Sequence, residues 1–159
     1  MNDGKAEDTV DTSIENKIIN SFFLNNRKDR ILLDLTRKNG QDVIHKLSQY
    51  FSAYIDSRCI VFQSNKGRTI SEILGIMQKH GVEKQCYVLS EYLEYNRKQV
   101  EINDALEAHR SNGFASIIVG LPSGFTYFQG ESYASNKPNC FLKPSVRFDS
   151  LSWNKSSIQ

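Results

Sequence analysis

The stretch FASIIVGLPSGFTYFQGE, residues 114–131, decides how the chain is to be read. Its first half is apolar at almost every position, as expected of a strand buried on both faces. Pro122-Ser123-Gly124 then turns the chain. After the turn, Phe125, Tyr127 and Gln129 alternate with Thr126, Phe128 and Gly130, which is the period of a second strand. A turn this short makes the two strands antiparallel. The tetrapeptide YFQG also ends a common protease-cleavage tag. Tags sit outside the fold, whereas this stretch is internal, and Gly124 stands where the protease site carries an acid. The segment belongs to the native fold.

Upstream, two more apolar, β-branched runs read as strands: RCIVFQ at 58–63 and QCYVLSE at 85–91. Between them, TISE at 69–72 has the form of a capping box, with Thr69 and Glu72 exchanging bonds. Ile70, Ile73, Leu74 and Met77 give the following helix an apolar stripe, and Gly81 ends it. YLEYNRKQVE at 92–101 has no clear period. A helix with Ile102, Ala105, Leu106 and His109 follows, stopped by Gly113. Strand–helix–strand order predicts parallel neighbours joined by right-handed crossovers. CFLKP at 140–144 adds a short edge strand closed by Pro144.

The N-terminal third differs in character. Residues 1–11 are polar and charged and read as a disordered tail. Residues 12–55 read as helical. Thr12 or Ser13 caps a first helix with Ile14, Ile18, Ile19, Phe22 and Phe23 on one stripe. NNRKD at 25–29 restarts the chain, with Asn26 as cap, Asp29 in the first turn and Gly40 as the stop. Val43, Ile44, Leu47, Tyr50, Phe51 and Tyr54 line a third helix. Residues 56–145 form the sheet region, and 146–159 a tail anchored by Trp153. The expected fold is a single α+β domain: N-terminal helices, then β-α-β-α-β-β(-β) in a mixed, mainly parallel sheet covered by helices.

A hydrophobic share of 39% over 159 residues supports one core. No run approaches the roughly 20 apolar residues of a membrane helix, and MNDGKAEDTVDTS is the opposite of a secretory signal. Cys59, Cys86 and Cys140 lack metal-ligand spacing and read as buried, reduced thiols of a cytoplasmic protein. His45, His80 and His109 each stand alone, so no metal or cofactor is expected. The net charge of +2 is unevenly spread. Residues 1–16 carry five acids against one lysine, and 17–47 carry seven bases (Lys17, Arg27, Lys28, Arg30, Arg37, Lys38, Lys46) against three acids. That is either a solvated helical surface or a patch for an acidic partner.

In a parallel sheet, ligands bind beyond the carboxyl ends of the strands. Those ends, QSNKGR at 63–68 and SEYLEYN at 90–96, bring Ser64, Lys66, Arg68, Ser90 and Glu91 to one rim. Lys66 and Arg68 around Gly67 suit an anion, yet SNKGRT lacks the spacing of a nucleotide loop. Ser90 and Glu91 are weak catalytic candidates. A serine nucleophile needs a base, and His80 and His109 are expected at the opposite edge of the sheet. Cys86, in mid-strand, is expected to stay a thiol. Glu91 and Glu131 form a carboxylate pair only if the strands bring them together. Tyr92, Tyr95 and Tyr133 are candidates for a recognition surface, while Phe125, Tyr127 and Phe128 belong mostly to the core.

CYVLSE, INDALEA, GFASIIVGLPSGFTYFQGE and FLKP together resemble a group of short, uncharacterised bacterial proteins. The likeness covers roughly residues 56–131, with Gly120 where that group often has cysteine and Gln129 where it has an acid. It implies a native bacterial protein and supports the strand reading of TYFQGE, and it implies no activity. The functional expectation is binding of another protein, as a regulator, adaptor or toxin-neutralising (immunity) partner. One alternative is an enzyme acting on a small anionic substrate at the rim. A second is nucleic-acid binding through Arg27, Lys28, Arg30, Arg37 and Lys38.

Overall fold

The computed structural model describes residues 11–37, 40–64, 67–130, 139–145 and 148. Three helices come first: α1 (Thr12–Phe22), α2 (Lys28–Leu35) and α3 (Gln41–Tyr54). They are followed by β1 (Ile60–Ser64), α4 (Ile70–Lys79), β2 (Val82–Ser90), β3 (Lys98–Glu101), α5 (Ile102–Asn112), β4 (Ser116–Pro122), β5 (Thr126–Gln129) and β6 (Asn139–Leu142). Local signals account for most of the ends. Thr69 and Glu72 form the full capping box, at 3.1 and 2.8 Å. Gly81 and Gly113 take positive φ where α4 and α5 stop. Asp11, not Thr12 or Ser13, caps α1 by accepting from the Ile14 amide. Asn26 does not cap α2, because residues 25–27 form a 3-10 turn. Gly40 opens α3 rather than closing α2, which ends at Leu35.

The six strands form one sheet in the order β1-β6-β5-β4-β2-β3, and every adjacent pair is antiparallel. This corrects the expected mainly parallel sheet. The cause is β3, a strand inside the patternless 92–101 stretch. It folds back on β2, pairing Val88 with Lys98 and Gln85 with Glu101. The chain therefore enters α5 at the opposite end of the sheet, and β4 comes back antiparallel to β2. The strands β1 and β2 still run the same way, but three strands separate them.

Helices cover both faces, which is why β4 reads apolar throughout. On one face α1, α2 and α3 pack Ile14, Ile18, Phe22, Ile31, Val43 and Leu47 against Tyr87, Leu89, Ile117, Val119 and Phe128. On the other, α4 and α5 pack Ile73, Met77, Ala105 and Leu106 against Cys86, Val88, Ile118, Tyr127 and Phe141. Each fully buried Ile or Phe contributes about 1.5–3 kcal/mol of transfer free energy, so the sheet is held from both sides. Phe148 anchors the C-terminal part against Gly124, where positive φ and the ring leave no room for a Cβ. Trp153 lies outside the described residues, as do residues 1–10 of the expected tail. Among the described residues, no helix is long and apolar enough to cross a membrane.

Candidate functional site

Antiparallel pairing aligns five residues in a row across the end of the sheet. Ser64 lies opposite Asn139, Asn139 opposite Gln129, Gln129 opposite Ser116, and Ser116 opposite Ser90. Directly opposed residues share a face, and Ser90, Ser116, Gln129 and Asn139 lie on the one covered by α4 and α5. All five are polar, and Ser90, Ser116, Gln129 and Asn139 are buried. Burying a polar group costs free energy unless it is hydrogen-bonded, so the partners of this row indicate what each residue does.

Ser90 is fully partnered. Its Oγ lies 2.6 Å from His109 Nε2 and accepts from the Tyr92 amide at 2.8 Å. His109 Nδ1 sits 2.7 Å from the Ala105 carbonyl. A carbonyl only accepts, so Nδ1 carries the proton and Nε2 accepts from the Ser90 hydroxyl. Burial lowers the His109 pKa and keeps the ring neutral. This corrects the expectation that His109 lies far from Ser90: with α5 running the other way, its last turn ends over β2. Both residues are fully buried, beneath the rings of Tyr92, Tyr95 and Phe114. The Ser90 carbonyl accepts from Gln41 Nε2, and its amide donates to Asn96 Oδ1. Tied on every side and closed to solvent, Ser90 fastens β2 to α5.

Gln129 is likewise structural. Its Nε2 donates to the carbonyls of His109 (3.1 Å) and Phe114 (2.9 Å), satisfying the end of α5. Glu91 Oε1 accepts from the Ala115 amide at 3.3 Å. The Tyr92–Tyr95 pair is half-buried over His109 rather than standing free, and only Leu93 and Glu94 are exposed between them. Burial pushes the Cys86 thiol up to about 12, so it stays protonated.

The other end of the row is different. Arg68, just before α4, and Arg110, in the last turn of α5, both lie within electrostatic reach of the Tyr127 phenol. The Arg68 guanidinium stands 5.5 Å from the centre of the Phe141 ring. A Cβ on Gly67 would lie only 3.7 Å from an Arg110 terminal nitrogen. Burial pushes the Tyr127 phenol up to about 12, against the pull of Arg110 and Arg68. The Nε of each arginine is buried and has no hydrogen-bond partner among the described residues, and the same holds for Ser116 Oγ. The four ion pairs found among the described residues involve neither arginine. Phe62, half-exposed on the edge strand β1, packs edge-on against Phe141 at 6.1 Å and extends this surface outward.

Of the expected rim, Arg68 and the backbone of Ser64 lie here, while Lys66, Glu131 and Tyr133 fall outside the described residues. Sequence reasoning missed Arg110, Ser116 and the partnering of His109. Ser116 did leave a signal, as the one polar residue in an apolar run. The basic helical patch is not a row of free cations. Arg27 donates to the Ala53 carbonyl and covers Tyr54, Lys28 donates to the Asn20 carbonyl, and Arg30 and Lys46 both pair with Asp34. Lys38 is outside the described residues. Among the described residues, no group of three or more His, Cys, Asp or Glu side chains is placed to hold a metal ion. No family model, curated protein or solved structure matches the chain.

Proposed function

We propose that the chain acts by binding another protein, with the Arg68–Arg110 end of the rim as its contact surface. The observation that carries this reading is that Arg68 and Arg110, both near Tyr127, have no carboxylate partner among the described residues. Arginine and aromatic rings are the residue types most enriched in protein interfaces, and here half-exposed Phe62 packs on Phe141, the buried ring that also lies under Arg68. Val61 and Phe62 lie on an edge strand, the part of a sheet most open to further pairing. The sealing of Ser90 and His109 argues against the enzymatic alternative, and the local ties of Arg27, Lys28 and Arg30 argue against the nucleic-acid one. A regulator, an adaptor and a toxin-neutralising partner all fit. The three buried free thiols suit the reducing cytoplasm, and the likeness to short bacterial proteins belongs to the same proposal.

The test is affinity capture from lysate of the cells that make the protein, with wild type and the double variant Arg68→Glu, Arg110→Glu at equal amounts of folded bait. Wild type is expected to retain one dominant protein, and the variant to lose at least nine-tenths of it. Identical recovery on both baits, or none on wild type at native abundance, overturns the proposal.

A further inference from the structure

The unsatisfied donors at the rim are more specific than a general acidic contact requires. We infer that Arg68, Arg110, Tyr127 and Ser116 form a site for a phosphoryl group, carried as a phosphate monoester on the partner. This deepens the binding reading above and rests on it.

A single carboxylate is satisfied by one bidentate guanidinium. Here two guanidiniums lie near one phenol, Tyr127, each with a buried Nε lacking a hydrogen-bond partner among the described residues. Leaving a buried charged donor unpaired costs free energy, and a group carrying close to two negative charges and three acceptor oxygens removes that cost. Two hydroxyls lie on the same patch of sheet, the Tyr127 one donating to Gln129 Oε1 at 3.3 Å. Tyr127 faces Ile118 across the β4–β5 ladder, and Ser116, two residues on, faces Gln129. Ser116 and Tyr127 are therefore diagonal neighbours on one face, within reach of a common ligand. The Ser116 hydroxyl is fully buried and has no partner among the described residues. The acid nearest Arg68 in the chain, Glu72, is committed to the Thr69 amide at 2.8 Å and does not neutralise the site. Beneath the Arg68 guanidinium lies the Phe141 ring, 5.5 Å away, rather than a polar group.

The experiment is titration followed by amide NMR at constant ionic strength, using inorganic phosphate, a phosphoserine peptide and the same peptide unphosphorylated. Phosphate is expected to shift the amides around Gly67–Thr69 and Arg110. Arg68→Gln and Arg110→Gln are each expected to weaken binding at least tenfold, and Ser116→Ala about threefold. Arg30→Gln, a surface change away from the site, should leave binding unchanged. Tighter binding of the phosphopeptide than of free phosphate, with no binding of the plain peptide, supports a partner-borne group. Equal binding of the two supports a site for the free anion and overturns the partner-borne part. Absence of shifts, or wild-type affinity in both arginine variants with their folded spectra intact, overturns the site. The two readings fail separately. If phosphate does not bind but protein capture still depends on the arginines, the phosphoryl inference falls alone. If phosphate binds but capture is indifferent to the arginines, the protein-binding proposal falls and takes the partner-borne part with it, while the anion site stands.

Discussion

Two arginine sites lie on opposite faces of the same sheet, and they treat the same side chain in opposite ways. On the face covered by α1, α2 and α3, Arg97 is fully engaged. Its Nε and one terminal nitrogen grip Glu15 at 2.9 and 2.8 Å, and the other donates to the Leu35 carbonyl at 2.7 Å. The Tyr87 hydroxyl donates to the same carboxylate at 2.7 Å. On the face covered by α4 and α5, Arg68 and Arg110 have no carboxylate among the described residues. The first site ties α1 and α2 to the loop before β3. It also holds Arg97 at a positive φ of 62, a conformation that costs a non-glycine residue about 1–2 kcal/mol. The second ties nothing comparable. Saturation of donors is what separates the two sites.

The largest effect that can break this comparison comes from removing Glu15. Glu15→Ala leaves the Arg97 guanidinium without its counter-charge and the Tyr87 hydroxyl without its acceptor. Loss of one partner of a buried pair costs about 3–5 kcal/mol, a large share of an ordinary domain's 5–15 kcal/mol. Denaturant unfolding should show that drop in the midpoint with little change in slope. A loss below about 1 kcal/mol would mean that the clasp is no more structural than the rim.

What the sequence made legible follows the same divide between local and long-range. Thr69 and Glu72 satisfy each other within four residues, so their capping box could be read directly. So could the stops at Gly81 and Gly113, the aromatic strand after Gly124, and the two-sided burial of residues 116–121. The direction of the sheet was not local. It turned on Lys98–Glu101, where only Val100 is apolar and the others are charged or polar. A half-exposed edge strand of four residues gives almost no alternation signal. Without it, strand–helix–strand order implied parallel neighbours, and His109 went to the wrong end of the molecule. The polar row failed to appear for the same reason. Ser90, Ser116 and Gln129 become neighbours only once the register is known.

A middle-sized effect probes the partnered end of the row itself. His109 is neutral and buried in the fold, with its pKa below the ordinary 6.5. The unfolded chain binds a proton near pH 6.5 that the folded chain refuses, so stability is level above that pH and falls as pH drops below it. The slope approaches about 1.4 kcal/mol per pH unit at most. His109→Gln should cost about 1–3 kcal/mol at pH 7.5, because Ser90 Oγ loses its acceptor geometry. It should also remove that part of the acid slope, so that the gap between wild type and variant narrows from pH 7.5 to 5.5. Urea midpoints across that range check both. A gap that stays constant would mean that His109 titrates in the fold as it does in the unfolded chain, and burial would then not be holding it neutral.

The smallest effect sharpens the comparison most. Arg68→Gln and Arg110→Gln remove cations that hold no carboxylate among the described residues. The stacking of Arg68 on Phe141 is worth about 0.5–1 kcal/mol, and relief of a buried unpaired donor offsets it. Stability in phosphate-free buffer should therefore change by less than about 1 kcal/mol, against the several lost at Glu15. Phosphate then supplies the contrast within one protein. A ligand that binds only the folded chain stabilises it by about 2.7 kcal/mol at a hundredfold excess over Kd. Wild type should gain midpoint with phosphate, and either variant should gain little. If the variants are destabilised as badly as Glu15→Ala and phosphate moves neither them nor wild type, Arg68 and Arg110 are building the fold after all, and their missing partners must be sought within the chain.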